Sequence, residues 1–372
     1  MMKSLVPFLA GPILSLCLLT GCQESVSTGR SAVPVVGEIV SAGGDGRALS
    51  LLQSFNEKDS RGAICIVGES DAVEALTSRF MSSDDFDNID GRPAPDQLPD
   101  FAGETVLAVS DDAHAPYAVY SSDPDAMRSL TVNHLICALD TVAASGFAGY
   151  EVNVRKDNAK ILVFPSPFMA ENGAFDVDTL LTMTGSGIPV IFPILEVFED
   201  EYARHDHRFT VAVLTDSLSA ANGVYGRVFS AVGTEMGVQA SDECYAFAAD
   251  TVGNIVSNLL EAYVNAGGQS PLSTIIVDSP LLPSGSVEAA LAEYIGGEGE
   301  SNASYSRLIA GNVRVVDVYK TVTDRCYRIF RNNNSFTHNI LFPRSKAYHT
   351  SDMMQGGGFR IVETDRYVQD ND

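Results

Sequence analysis

The chain has no tryptophan, and its 24 lysines and arginines face 48 aspartates and glutamates over 372 residues, a formal net charge of −24. The shortage of cations argues against nucleic acid, whose phosphates are held by Lys and Arg. It argues equally against docking on anionic lipid through a basic patch. Several catalytic and nucleotide-binding signatures are also missing. There is no G-x-S-x-G elbow, no H-E-x-x-H, no P-loop and no G-x-G-x-x-G. No cysteine sits in a C-x-x-C pair, which removes zinc-knuckle and thioredoxin-like sites. No cofactor, metal or nucleic-acid partner is therefore expected.

What is present is globular: 45% apolar and 19% charged residues, enough for one large core or two medium ones. The N-terminus, "MMKSLVPFLAGPILSLCLLTGC", places one Lys before an apolar run from Leu5 to Leu19. The run is short for a membrane span and reads as a signal-peptide core over residues 1–21. It ends in "LTGC", Leu19 to Cys22, which resembles the lipobox of bacterial lipoproteins. The resemblance implies that Cys22 is acylated and becomes the mature N-terminus, holding the body at the cell envelope by a lipid anchor alone. Gln23 at the next position implies the outer membrane in a Gram-negative cell.

Cys17 leaves with the signal, so four cysteines remain in the body: Cys65, Cys137, Cys244 and Cys326. Two disulfides fit an exported chain, and three pairings are open. Pairing Cys65 with Cys137 and Cys244 with Cys326 would staple each half separately. Four buried thiols are the alternative, since Cys65 lies in an apolar run.

Residues 22–60 are rich in Ser, Gly and Thr and read as a tether, interrupted around "ALSLLQSF". Beyond residue 60, short apolar runs alternate with amphipathic helices. The runs are "AICIV", "TVLAV", "KILVF", "IPVIFPI", "TVAVL", "TIIV" and "VRVVDV". "DAVEALTSRFM" places Val73, Leu76 and Phe80 on one helical face, and "SLTVNHLICALDTVAASG" also reads as a helix. Unalternating apolar strands between helices predict parallel sheet buried on both faces, a doubly wound α/β architecture in two lobes, residues 61–203 and 204–372.

"TGSGIPVIFP" followed by "RFTVAVLTDSLSAANGVYGRVFSAVGTEMG" is similar to the lobe-to-lobe passage of type I periplasmic binding proteins. "STIIVDSP" resembles their later strand–helix unit, and "AICIVGESDAVEAL" their opening one. The likeness spans roughly residues 61–320 as a rhythm of elements. It departs at "LEVFEDEYARHDHR", where a short charged stretch stands in place of a further helix. The resemblance implies two lobes closing on a small polar ligand, with a membrane transporter or receptor as partner.

In open parallel sheets, ligands sit beyond the carboxyl ends of the strands, where helix N-termini offer free N–H groups. Those ends carry Ser70, Asp111, Ser166, Asp216, Ser217, Asp278 and Ser279, expected to line an interlobe cleft. Each also suits a helix cap. Arg227, on the otherwise apolar "VYGRVFSAV", is a candidate for a ligand carboxylate or hydroxyl, and Phe168 and Tyr225 for stacking. Acids outnumber Arg at these ends, so the ligand is expected to be neutral or cationic. The expected function is solute binding.

Two alternatives stand beside it. One is a lipid-anchored esterase of SGNH type, with Ser70 of "IVGES" as nucleophile and Asp111 and His114 of "DDAH" in support. The other is a domain that keeps the fold for partner contacts. "RHDHR" (204–208) offers only two histidines, too few for zinc, and reads as a solvated linker. The acidic stretch Asp84 to Glu104 fails the register of a calcium loop, and its three prolines forbid regular structure. It reads as a surface excursion pinned by Phe86, Ile89, Leu98 and Phe101, with an irregular cation or partner site as the alternative.

Overall fold

The computed structural model describes residues 30–42, 46–56, 60–147, 150–238, 242–249, 254–297, 305–337, 341–352 and 359–364. The segment expected as signal peptide, residues 1–21, and the expected acylation site Cys22 lie outside these residues. The chain divides into Met1–Ser31 and Ala32–Asp372, and everything below concerns the second unit.

The architecture is α/β with two sheets. The larger is ordered β4 (Tyr150–Arg155), β3 (Val142–Phe147), β12 (Phe359–Thr364), β11 (Arg344–Asp352), β2 (Thr105–Ser110), β1 (Ala63–Gly68), β5 (Ala159–Val163), β6 (Val190–Ile191), and the smaller β10 (Ile309–Asp317), β9 (Leu272–Val277), β7 (Thr210–Thr215), β8 (Glu243–Ala248). The larger sheet is built on β1 (Ala63–Gly68), β2 (Thr105–Ser110), β5 (Ala159–Val163) and β6 (Val190–Ile191), all parallel. Every residue of β1 and β5 is buried, which is why these strands read as apolar runs rather than alternations. The smaller sheet is wholly parallel: β7 (Thr210–Thr215), β8 (Glu243–Ala248), β9 (Leu272–Val277) and β10 (Ile309–Asp317).

Helices follow the strands. α3 (Ser70–Ser82) buries Val73, Leu76 and Phe80, the face its spacing predicts. α4 (Pro124–Leu139) lies against α5 (Pro167–Thr184), and Gly173 makes that approach possible, since a Cβ there would overlap Thr131. α7 (Ser217–Asn222), α8 (Val224–Glu235), α9 (Ile255–Asn265) and α10 (Ser284–Gly296) serve the smaller sheet. The chain crosses between sheets twice. α6 (Pro193–Arg204) joins β6 to β7, and α11 (Val318–Asn333) joins β10 to β11 (Arg344–Asp352).

Several expectations are corrected. "LEVFEDEYARHDHR" is not a bare linker: Pro193 opens α6, whose Ile194, Val197, Phe198 and Tyr202 are buried. "DTVAASG" leaves α4 at Asp140 and becomes β3 (Val142–Phe147), paired antiparallel with β4 (Tyr150–Arg155). Residues 34–53, within the span expected as tether, form α1 (Pro34–Ser41) and α2 (Arg47–Gln53). Val36, Ile39, Leu49 and Leu52 of these helices join the main core. The Val33 amide donates to the buried Asp176, which also holds Arg128. All four body cysteines are free thiols, so the expected disulfides are absent. Cys65 is inside β1 and Cys326 inside the buried face of α11, where they fill core volume.

The acidic excursion holds itself by carboxylate-to-amide bonds. Asp84 accepts from the amides of Asp96 and Gln97, and Asp100 from those of Asp85 and Phe86. Phe86 stacks on Tyr327 and Phe101 is buried, but Ile89 and Leu98 are 88% and 54% exposed and pin nothing.

Candidate active site

The carboxyl end of β2 runs directly into Asp111, which is fully buried and accepts four side-chain hydrogen bonds. One oxygen takes His114 Nδ1 at 2.7 Å and the Thr350 hydroxyl. The other takes His134 Nε2 at 2.7 Å and the Tyr117 hydroxyl at 2.9 Å. A carboxylate can only accept, so it fixes both imidazole tautomers: His114 carries its proton on Nδ1 and His134 on Nε2. Burial pushes the Asp111 carboxyl up, but the bonds from His114 and His134 outweigh it and hold the group well below the usual carboxylate range.

Each partner arrives from a different element. His114 sits in the turn after β2, Tyr117 opens a short 3-10 helix (Tyr117–Ser122), His134 lies on the buried face of α4 and Thr350 comes from β11. Of the two imidazoles, His134 is enclosed and His114 is 19% exposed. The Nδ1 bond turns Nε2 of His114 away from Asp111, the geometry in which a carboxylate orients a general acid–base histidine.

Neighbouring strand ends add carboxyls. Glu69, after β1, accepts from the Tyr117 amide; burial raises its carboxyl, and Asp216, Asp111 and Asp71 add to the rise. Asp278, after β9, accepts from the Tyr225 hydroxyl at 2.7 Å. Burial raises Asp278 to about 7, with the negative fields of Asp216 and Asp317 helping. Tyr319, at the start of α11, is pushed well above the ordinary phenol range by burial and by Asp278, Asp317, Asp216 and Asp71. The strand ends of the two sheets thus share one electrostatic field. A cavity of about 290 Å³ opens between α3 and the smaller sheet, lined by Arg79, Ser279, Asp317 and Tyr319 among others.

Not every expected site residue joins this region. Ser70 donates to Asp112 at 3.0 Å, not to a histidine, so the nucleophile arrangement of an SGNH esterase is not formed. Ser166 is buried and caps α5 through the Phe168 amide; Asp216 caps α7 through the Ser219 amide. Ser217 is exposed at the first turn of α7. Arg227 is spent on Glu171 and Asn222, strapping α8 to α5 rather than facing a ligand. Phe168 and Tyr225 are core residues. His205 and His207 turn to Glu201 and Asp206. Asp111, Asp278 and Ser279 remain. Sequence reasoning missed His134, Tyr117, Thr350, Glu69 and Tyr319, of which His134 gave a signal as a histidine on the apolar face of a helix.

Asp111, His114 and His134 present ligand atoms within 4.8 Å of one another, a set able to hold a divalent cation. In this geometry a cation would have to displace the two imidazole N–H donors that now bond the carboxylate.

No family model matches the chain, and no curated protein matches it. Solved structures do resemble it. Glutamate racemase isoform RacE1 from Bacillus anthracis aligns at TM-score 0.45 and 12% identity, over 78% of this chain and 89% of that one. Glutamate racemase from Aquifex pyrophilus gives 0.37 and 13%, over 73% and 83%. A LacI-family transcriptional regulator from Silicibacter pomeroyi gives 0.22 and 11%, over 73% and 93%. The solute-binding expectation is corrected at this point. The strand-end carboxylates Asp111 and Asp278, expected to greet a solute, are taken up by imidazole and phenol groups of the chain itself. At these TM-scores the likeness does not specify a reaction.

Proposed function

We propose that the chain is an acid–base enzyme acting on a small, polar, neutral or cationic substrate between the carboxyl ends of its two sheets. The observation that carries this reading is the buried Asp111 carboxylate that orients His114 at the end of β2. His114 moves the proton on one side. Asp278, raised to about 7, is suited to give or take one on the other, because acid–base groups work best when they titrate near the working pH. Glu69, Asp71, Asp216 and Asp317 surround the space with negative charge, which favours a cationic or neutral substrate over an anion. None of the four described thiols lies at a strand carboxyl end, so the proton carriers are imidazole and carboxyl. We also propose that the enzyme works at the cell envelope, anchored through acylated Cys22, on the strength of "LTGC" after its apolar run.

The test is proton NMR in D2O with the protein and a panel of amino acids, amines, hydroxy acids and sugars, following exchange of carbon-bound hydrogen and appearance of product. His114→Ala should slow any turnover by about a hundredfold or more. Acidic members of the panel should be the poorest substrates. Turnover that survives His114→Ala unchanged would remove the proposal.

A further inference from the structure

A second cavity, of about 240 Å³, shares no lining residue with the first and lies between α6, α11 and the second half of β10. Four arginines line it: Arg204, Arg314, Arg325 and Arg328. Their gathering is unexpected in a chain where acids outnumber Lys and Arg two to one. Two are already matched. Arg314 meets the buried Glu201 at 3.0 Å, and Glu201 also accepts from the Thr274 hydroxyl; Arg325 meets Glu196 at 3.3 Å. Asp324, on the same rim, is held by Lys320 at 2.8 Å. Arg204 and Arg328 have no ion-pair partner among the described residues, although Asp200 shares the cavity wall.

We infer that this cavity is a binding site for a small oxyanion, gripped by the guanidinium groups of Arg204 and Arg328. A guanidinium presents a planar fork of donors that matches phosphate or carboxylate oxygens, and two on one wall can share a divalent anion. Of the four acids on the wall, Glu201, Asp324 and Glu196 are committed to Arg314, Lys320 and Arg325, which leaves Asp200 alone against two arginines. The site is also placed to matter. α6 and α11 carry the two chain crossings between the sheets, and the cavity is where they meet. An anion bound there would tie one crossing to the other. The inference is independent of the acid–base site, which it does not touch.

The experiment titrates the full chain with inorganic phosphate and separately with succinate, at ionic strength held constant with chloride, by calorimetry. Saturable binding of either is expected. Binding of phosphate alone identifies a phosphate-bearing ligand, and binding of succinate alone a dicarboxylate. The variant carrying Arg204→Gln and Arg328→Gln together should bind at least about tenfold more weakly, with an unchanged ligand-free melting midpoint because both side chains are exposed. Absence of saturable binding by both anions, or binding that persists in the double variant, overturns the inference.

Discussion

Asp278 keeps its proton at pH values where an ordinary aspartate has lost it. Burial is the main cause, and the hydrogen bond from Tyr225 only partly offsets it. Between about pH 4, where an unfolded Asp titrates, and pH 7, the folded chain holds a proton that the unfolded chain has released. Stability therefore falls as pH rises through that window and levels off above it. A rise of about three pH units corresponds to about 4 kcal/mol. Asp278→Asn removes this penalty. Its stability relative to the parent should increase between pH 5 and pH 8, read from urea midpoints at the two values. An identical difference at both would show that Asp278 is not raised. At this scale the site was half legible. Asp111 and Asp278 could be read because strand ends are marked by the switch from apolar run to acid. His134 and Thr350 could not, since they reach Asp111 from 23 and 239 residues further along the chain and no local pattern points back.

Helix α5 meets α4 through Gly173, the one point where the two backbones need a missing side chain. Gly173→Ala places a methyl into Thr131 on a helix that has little room to move, because Arg128 of the same helix is locked to the buried Asp176. Overpacking of this kind costs about 1–3 kcal/mol, despite the gain in helix propensity. Chemical denaturation should show it, and Gly173→Ala with Thr131→Ser should recover part of the loss. The central parallel strands were legible because burial on both faces leaves mostly apolar residues in them, the buried Lys160 of β5 being an exception. β11 was not: "RSKAYHTSD" mixes polar and apolar residues at a position next to β2. α6 was misread for the converse reason, since its charged outer face masked a buried stripe of Ile194, Val197, Phe198 and Tyr202.

At the scale of the whole molecule, the chain carries a segment read as an export signal and builds one mixed and one wholly parallel sheet, joined at two crossings. Cys22→Ser tests the anchoring proposal directly. The variant should lose incorporation of labelled fatty acid and shift from membrane to soluble fraction, or stay uncleaved, while the parent stays membrane-bound. Label entering the variant would rule out acylation at Cys22. The alternating rhythm gave the two-sheet plan correctly, but charge and rhythm alone could not separate a carrier from an enzyme, because both place polar residues at strand ends. The proposal of an enzyme rests on the carboxylates being engaged by imidazole and phenol groups.

The position of β11 bears on how such a chain is made. It lies between β2 and β12, near the middle of the larger sheet, yet in the chain it comes after every strand of the smaller sheet. Until it arrives, β2 has an open edge and Asp111 lacks Thr350. Closure of that side of β2 therefore waits on a strand that comes after the whole of the smaller sheet in the chain. Truncated products cut before residue 344 would leave the sheet open and the Asp111 cluster incomplete. They would present an unpaired edge to any quality-control protease, so pairing of the larger sheet and completion of the Asp111 cluster depend on the same strand.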